Sequence, residues 1–243
     1  MQLYTGFDKP LGEAELAAYR ALIKRRLGGE PVAYLLGEHE FWGLPLYVDS
    51  SVLVPRPDTE TVIEVARATR ADRVAPCRVL DLCTGSGAIA IGLAKELPAA
   101  RIIATELSPE AAAIARRNAE RNGFAERIEV RIGDLWDPVA GERFDLITAN
   151  PPYIASAVIP TLSAEVRREP MLALDGGRDG LAFYDRICGR AREQLDAGGA
   201  LVVEHGFDQA DAVRARFEAA GFAGVTLVYD LGKNPRVTWG TVP

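Results

Sequence analysis

The region after Pro76 alternates between short apolar segments and amphipathic helical segments, and this alternation constrains the fold more than any other feature of the sequence. Continuous apolar segments are typical of parallel strands buried on both faces, with helices between them. The sequence predicts strands over Arg78–Asp81, Arg101–Glu106, Ile128–Ile132, Phe144–Ala149, Ala200–His205, Gly224–Tyr229 and Arg236–Gly240, and helices over Ala88–Leu97, Pro109–Asn122, Leu181–Ala197 and Gln209–Ala220. We therefore expect an α/β fold with a mainly parallel, doubly wound sheet.

The two ends of the chain depart from this alternation. Only residues 230–235 connect the last two predicted strands, and a parallel crossover needs about a dozen residues or more, so these strands must form an antiparallel hairpin. At the other end, apolar residues at helical spacing predict a helix over Glu13–Leu27, and the aromatic, β-prone segment Glu40–Val48 predicts a short hairpin. A further helix is expected over Thr59–Arg70, with Asp58 as its cap.

Charge and composition exclude several classes of protein. The 243 residues carry a net charge of -6, which gives no electrostatic support for direct nucleic-acid binding. The short basic cluster Lys24–Arg26 is expected to be a solvated helix face. The N-terminus has no signal-peptide pattern, and no apolar stretch approaches membrane-spanning length, so no membrane contact and a cytoplasmic location are expected.

Cysteine and histidine are too sparse for a framework of disulfides or for a zinc site. Cys77, Cys83 and Cys188 form no CxxC pair, and the histidines are His39 and His205. Neither residue type shows metal-ligand spacing. We therefore expect a reaction that needs no metal.

The tetrapeptide Asn150-Pro151-Pro152-Tyr153 directly follows the predicted strand Phe144–Ala149. Ligands of α/β sheets bind in the crevice at the carboxyl ends of the strands, where this rigid turn would lie. The Asn150 side-chain oxygen and the carbonyl between Asn150 and Pro151 could accept both hydrogens of a planar NH2 group, while the Tyr153 ring stacks on its π-face. The turn predicts a site for an amide or amino nitrogen, with Asn150, Pro151 and Tyr153 in catalytic roles and Pro152 as a further substrate contact.

The turn after the first strand predicts a cofactor site. The segment Asp81–Gly87 opens a helix, and its small residues allow a ligand to approach the backbone while the helix N-terminus favours an anionic group. Glu106 ends the next strand and could accept hydrogen bonds from both hydroxyls of an adenosine ribose. The predicted contacts within the turn are Asp81, Cys83, Thr84, Gly85, Ser86 and Gly87.

Two cofactors fit such a turn. Its glycines and Ala90 match the G-x-G-x-x-A pattern of nicotinamide cofactors, so this alternative stays open on the turn alone. S-adenosylmethionine is favoured because Asp81 could face its ammonium group, and because an Asn-Pro-Pro-Tyr turn has no use in hydride transfer. Asp134 could accept a hydrogen bond from the adenine amino group, and Leu135 or Trp136 could cover the ring. For Trp136, packing in the core is an equal alternative.

Several segments together resemble the protein-glutamine N5-methyltransferases that modify peptide chain release factors. The segments that carry the resemblance, which extends from about Leu3 to Gly240, are Glu30–Leu35, Glu40–Gly43, Pro55–Glu60, Asp81–Gly87, Asn150–Tyr153, and Glu169-Pro170 through Gly176-Gly177 to Asp179–Leu181. The resemblance implies a Rossmann-like, seven-stranded class I methyltransferase sheet that binds S-adenosylmethionine, and a substrate glutamine in the Gly-Gly-Gln motif of a release factor. The cofactor positions that it implies are Cys83 to Gly87, Glu106, Leu135 and Asn150, and the glutamine contacts are Asn150, Pro151, Pro152 and Tyr153.

The resemblance also implies a division of the chain. Residues 1–38 correspond to a helical substrate-recognition region, 39–55 to a β-hairpin linker and 56–243 to the methyltransferase domain. Family members usually carry a longer helical domain before Glu40–Gly43, and Leu3–Phe7 resembles the middle of that domain, so a partial recognition region is expected. Cys83 and Glu106 stand where glycine and aspartate are more usual, and both are mild departures.

Three alternatives remain open at this stage. The related glutamine methyltransferase of ribosomal protein L3 shares the sequence Asp-Leu-Cys-Thr-Gly-Ser-Gly, so Cys83 favours it, whereas the longer motif Pro55–Glu60 favours the release-factor branch. The substrate base of a DNA or RNA amino-methyltransferase would present the same planar NH2 group to Asn150–Tyr153. Such an enzyme must also bind phosphates and flip a base, and the net negative charge of this chain argues against that. A binding module without activity would not need an intact Asn150–Tyr153.

Overall fold

The structure, a computed structural model, describes residues 10–243, and the segment Leu3–Phe7 lies outside this range. The helices are α1 (Glu13–Leu27), α2 (Val32–Leu36), α3 (Glu60–Ala68), α4 (Ala88–Glu96), α5 (Pro109–Arg121), α6 (Met171–Leu174), α7 (Ala182–Gln194) and α8 (Ala210–Ala219). The strands are β1 (Glu38–Phe41), β2 (Leu44–Tyr47), β3 (Cys77–Leu82), β4 (Ala100–Glu106), β5 (Ile128–Ile132), β6 (Phe144–Ala149), β7 (Leu195–Glu204), β8 (Ala223–Tyr229) and β9 (Pro235–Thr241). No helix in this range is both long and apolar enough to cross a membrane.

A seven-stranded sheet in the order β5-β4-β3-β6-β7-β9-β8 forms the centre of the protein. Strands β3 to β7 pair in parallel, and β9 runs antiparallel between β7 and β8. The predicted α/β class, the seven strands and the antiparallel pairing of the last two are confirmed. Strands β4 and β6 lie on opposite sides of β3, so the strand order switches direction at β3. The connections from the carboxyl ends of these strands diverge there and leave a crevice.

Both faces of the sheet are buried, which explains why its parallel strands are continuously apolar. Val79 of β3 belongs to the cluster that packs against α4 and α5, whereas its neighbour Leu80 belongs to the cluster with Tyr184 of α7 and Phe217 of α8. All four side chains are at most 1% exposed. Burial on both faces holds the sheet rigid, so the loops at its carboxyl edge start from fixed positions.

The N-terminal elements pack against helix α5 and the segment before α6. Hairpin β1–β2 confirms the short hairpin predicted at Glu40–Val48. It docks on α5 through Asn118, whose side chain bonds to both the N–H and the carbonyl of Tyr47. The same side chain donates to the carbonyl of Ser86 at 2.9 Å, which links the hairpin to the loop after β3. Helix α1 has no buried residue, and Arg26 reaches Glu165 across 2.8 Å.

Two local expectations are wrong. Asp58 does not cap α3, since it lies inside the 3-10 turn Pro57–Thr59 and pairs with Arg236 at 3.2 Å instead. Helix α7 ends at Gln194 rather than Ala197, because Leu195 is fully buried and already belongs to β7. Ser108 caps α5 by accepting the N–H of Ala111 at 3.1 Å.

Candidate active site

A cavity of about 570 Å³ opens at the carboxyl edge of the sheet, within the size range of cofactor sites. Its walls come from the ends of β3, β4, β6 and β7, from the segment before α3, and from the segment that contains α6. The sequence-predicted residues that line it are Cys83, Thr84, Gly85, Ser86, Glu106, Asp134, Leu135, Asn150, Pro151, Pro152 and Tyr153. Asp81, Gly87 and Trp136 do not line it.

The turn between β3 and α4 is held in a left-handed backbone conformation. Cys83, Gly85 and Gly87 have φ of 57°, 56° and 83°. No atom lies within 4 Å of the place where a side chain on Gly85 would start, so the cavity runs up to its backbone. At Gly87, by contrast, an added Cβ would press on Ala115 of α5 at 3.3 Å, and this glycine serves close helix packing rather than ligand contact.

Asp81 lies behind this turn rather than in the cavity. Its side chain is fully buried and accepts hydrogen bonds from the hydroxyls of Thr84 at 2.6 Å and Thr148 at 2.8 Å. Burial raises its pKa to about 6, against the opposing effect of these hydrogen bonds. The expectation that Asp81 faces a ligand ammonium group directly is therefore wrong. The buried carboxylate instead holds the turn in place through its hydrogen bonds with Thr84 and Thr148.

Glu106 presents its carboxylate to the cavity from the end of β4. Oε2 accepts the N–H of Gly85 and Oε1 accepts the N–H of Ser108, both at 2.9 Å. Each carboxylate oxygen can accept a second hydrogen bond, so the group is held in place and still has acceptor capacity. This is the arrangement that two neighbouring hydroxyls of a ribose require.

The segment after β5 contributes two of its three predicted contacts. Leu135 lines the cavity with φ of 46°, and Asp134 lies beside it in an ion pair with Arg186 at 2.7 Å. Trp136 is 2% exposed, and its indole N–H donates to the carbonyl of Arg186 at 3.1 Å. Its role is core packing, because the backbone turns at Leu135 and directs the next side chain inward.

The donor set of the cavity fits an adenosyl cofactor. Beyond the open backbone at Gly85 and the free acceptor capacity of Glu106, the hydroxyl of Thr105 is buried at the cavity wall and has no hydrogen-bond partner in residues 10–243. A buried polar atom without a partner is costly unless a ligand pairs with it. The thiol of Cys83 fills space here, since burial raises its pKa well above the usual value and keeps it protonated.

The other end of the cavity is formed by the Asn150–Tyr153 turn. The Asn150 amide nitrogen Nδ2 donates to Thr59 Oγ1 at 3.3 Å, whereas its Oδ1 and its backbone carbonyl accept no hydrogen bond from residues 10–243. Pro151 and Pro152 are buried, and the Tyr153 hydroxyl points to Glu204 Oε1 at 3.5 Å. The residues that carry two unpaired acceptors and an aromatic ring, Asn150 and Tyr153, therefore line one cavity.

The glycines of the segment after α6 fit against this turn. An added Cβ on Gly176 would lie 2.8 Å from the carbonyl oxygen of Pro152, and one on Gly180 would lie 2.3 Å from that of Tyr153. Gln209 Nε2 donates to the same Tyr153 carbonyl at 2.9 Å. The backbone of the turn is thus fixed from its far side by contacts that only glycine permits.

The cavity residues that the sequence analysis did not assign to the site include Arg56, Thr59 and Glu204. Arg56 pairs with the buried carboxylate of Glu169, so it connects two of the motifs that carry the family resemblance. Thr59 ends the 3-10 turn before α3 and Glu204 ends β7, two positions that only the folded chain brings together. A carboxylate at the end of an otherwise apolar strand was the available signal for Glu204.

Comparison with known proteins agrees with this geometry. The family described as "Methyltransferase small domain" matches residues 64–166, and the one described as "PrmC N-terminal domain" matches residues 1–37. A release factor glutamine methyltransferase of Geobacter sulfurreducens is 48% identical over 99% of this chain and 83% of its own length. The chain belongs to the release factor glutamine methyltransferase family. The Escherichia coli member is 43% identical over 90% of this chain and 78% of its own length.

More distantly related proteins share the fold of this chain. A methyltransferase from Pyrococcus furiosus superposes with a TM-score of 0.62 at 20% identity and covers 92% of this chain and 97% of its own. At that identity the likeness concerns the fold alone. Membership of the release factor glutamine methyltransferases favours S-adenosylmethionine over the nicotinamide alternative, in agreement with the free acceptor capacity of Glu106.

Proposed function

We propose that this protein transfers a methyl group from S-adenosylmethionine to the side-chain amide nitrogen N5 of the glutamine in the Gly-Gly-Gln motif of peptide chain release factors. The observation that carries the proposal is the pair of unpaired acceptors on Asn150, which share one cavity with Glu106. Cofactor contacts are assigned to Cys83, Thr84, Gly85, Ser86, Glu106, Asp134, Leu135 and Asn150. Substrate contacts are assigned to Asn150, Pro151, Pro152 and Tyr153.

The reaction needs orientation more than acid–base chemistry. Bound S-adenosylmethionine supplies a methyl group on a positively charged sulfur, which is already activated for transfer. An amide nitrogen is a weak nucleophile, because its lone pair is delocalised into the carbonyl. The side-chain oxygen and the carbonyl of Asn150 accept the two N–H groups, which raises electron density on nitrogen as the amide loses planarity and directs its lone pair. Tyr153 fixes the plane of the amide, and the proton leaves to solvent.

Proximity supplies much of the rate enhancement in such a reaction. Rigid support of the turn therefore matters, and the contacts from Gly176, Gly180 and Gln209 supply it. The alternatives based on ribosomal protein L3 and on nucleic acid are less well supported, because the relatives at 43% to 48% identity are named for release factors and the net charge is -6.

We further assign substrate recognition to residues 1–38, a linking role to residues 39–55 and cofactor binding to residues 56–243. The ion pair between Arg26 and Glu165 supports this division, because it places α1 beside the segment that borders the cavity. Release factors act on ribosomes, and the inferred location is therefore the cytoplasm.

The proposal is tested by incubating the protein with methyl-labelled S-adenosylmethionine and, in separate reactions, with release factors, ribosomal protein L3 and DNA. Mass spectrometry then locates the label. We expect label on the Gly-Gly-Gln glutamine of a release factor and none on a release factor in which that glutamine is replaced by alanine. Label on L3 or DNA alone would overturn the proposal.

A further inference from the structure

Glu204 is a buried carboxylate with no place in the sequence-predicted site. It is the last residue of β7, it is 1% exposed, and it lies in the wall of the cavity at the end formed by Asn150–Tyr153. Its Oε1 is the acceptor for the Tyr153 hydroxyl at 3.5 Å, and its Oε2 has no partner within residues 10–243. Burying a carboxylate with an unpaired oxygen destabilises a protein, so its presence calls for a function.

A single hydroxyl lies between this carboxylate and the substrate-binding amide. Thr59 lines the same cavity as Glu204 and lowers the pKa of its carboxyl, and Thr59 Oγ1 is the acceptor for Asn150 Nδ2 at 3.3 Å. A hydroxyl has one hydrogen and two lone pairs. If that hydrogen points to the carboxylate, only lone pairs remain for Asn150, and these accept from an NH2 group but repel an oxygen.

The direction of this chain of hydrogen bonds decides what the substrate meets. With Nδ2 held by Thr59, Oδ1 is the Asn150 atom available to the hydrogens of a planar NH2 group. The opposite amide orientation would present N–H to N–H and remove one of the two acceptors. The same carboxylate also accepts from Tyr153, so one group acts on both the acceptor and the stacking ring.

We propose that Glu204 is a positioning residue, which acts through Thr59 to orient the Asn150 amide and through the Tyr153 hydroxyl to hold the ring. The inference rests on the proposed function, because it concerns the same glutamine amide.

A pH dependence follows from the same contacts. Burial raises the pKa of Glu204 to about 7, opposed by the nearby Thr59 hydroxyl, by the positive charge of Arg236 and by the Tyr153 hydroxyl, and supported by the negative charge of Asp58. The neighbouring His205 is buried and its pKa is lowered, so it stays neutral. A protonated Glu204 could donate to Thr59 and release the orientation of Asn150. The rate of methyl transfer should therefore fall as the pH drops through about 7.

The test compares Glu204→Gln, Thr59→Val and Thr59→Ser with the parent, with Glu193→Gln on the exposed face of α7 as a matched control. We expect Glu204→Gln and Thr59→Val to lower the single-turnover rate about 10- to 100-fold, by analogy with the outer-shell partners of metal ligands. Thr59→Ser should recover most of the rate lost in Thr59→Val. The melting temperature of Glu204→Gln should stay equal to that of the parent or rise, because a buried charge is removed. If Glu204 had only a structural role, the substitution would lower both the single-turnover rate and the melting temperature.

Two further measurements make the inference refutable. Thr59→Val added to Asn150→Ala should cost no further activity, because both act on the same acceptor. In the protein without ligands, the Asn150 side-chain NH2 resonances, assigned by their loss in Asn150→Ala, should exchange with water faster in Glu204→Gln and in Thr59→Val. An unchanged exchange rate in both variants would overturn the inference. This outcome is independent of turnover, so it is distinguishable from a parent that fails to methylate any release factor, which would overturn the proposed function instead.

Discussion

The Glu106 carboxylate oxygen Oε2 lies 2.9 Å from the backbone nitrogen of Gly85 and accepts its N–H. This contact joins the end of β4 to the left-handed turn after β3, so the acid that should bind the ribose also shapes the backbone that the cofactor approaches. The two roles make Glu106 sensitive to substitution even though its side chain is only half-buried.

Replacing Glu106 with alanine should weaken S-adenosylmethionine binding by about 1–3 kcal/mol, because ligand hydroxyls are left without acceptors in a closed site. Isothermal calorimetry measures this directly. Glu120→Ala, on the exposed face of α5, is the matched control and should bind like the parent. Equal affinity in the Glu106 variant, or stronger binding of NAD than of S-adenosylmethionine by the parent, would contradict the assignment.

Asp81 should make the stability of the ligand-free protein depend on pH. Its pKa is raised from 3.8 to about 6 by burial, so the ionised form is disfavoured in the folded state and the stability contribution is lost as the pH rises between these values. The difference corresponds to about 3 kcal/mol at pH 7 as an order of magnitude. Asp81→Asn should therefore gain stability relative to the parent at pH 7 and show no such gain at pH 4. Urea unfolding at both pH values checks this, and a pH-independent difference would contradict it.

Substitution of Gly180 tests how strongly the contacts that support the Asn150–Tyr153 turn control activity. Its φ of 76° is unfavourable for other residues, and an added Cβ would lie 2.3 Å from the Tyr153 carbonyl oxygen. Gly180→Ala should displace Tyr153 and raise the KM for the release factor while cofactor affinity changes little. The control is Gly189→Ala in α7, where no atom lies within 4 Å of the new Cβ and alanine should stabilise the helix by about 0.5–1 kcal/mol. A normal KM in Gly180→Ala would show that Tyr153 tolerates the shift.

Much of the fold follows from the sequence, because strands buried on both faces and capped helices leave local patterns. The strand Phe144–Ala149 and the helix Glu13–Leu27 have the predicted bounds. The prediction that Asp58 caps α3 is wrong, because the 3-10 turn Pro57–Thr59 places its carboxylate beside Arg236 and not at the helix N-terminus.

The site was less predictable than the fold, for a physical reason. The Asn150–Tyr153 turn and Glu106 end apolar strands, and the parallel sheet itself brings such positions to one edge. Thr59 and Asn150 are in contact although they are 91 positions apart in the sequence, and no local pattern encodes that contact. Trp136 lies next to a cavity residue but points into the core, where its indole N–H donates to the carbonyl of Arg186.

The sharpest prediction concerns Asn150. Asn150→Ala removes one of the two acceptors for the substrate amide and, by analogy with the loss of one oxyanion-hole donor, should lower kcat about 10²- to 10³-fold. Cofactor affinity should fall much less, since the Glu106 end of the cavity is untouched. Asn150→Asp keeps an acceptor of the same size, but it cannot donate to Thr59 and places a negative charge near a positively charged methyl donor. That charge stabilises the ground state, so Asn150→Asp should bind the cofactor at least as tightly as the parent and still turn over slowly. Single-turnover methylation and the cofactor Kd, measured for both variants, separate the two effects. Near-normal turnover of Asn150→Ala would mean that other groups hold the amide, and the mechanism proposed for this site would have to be abandoned.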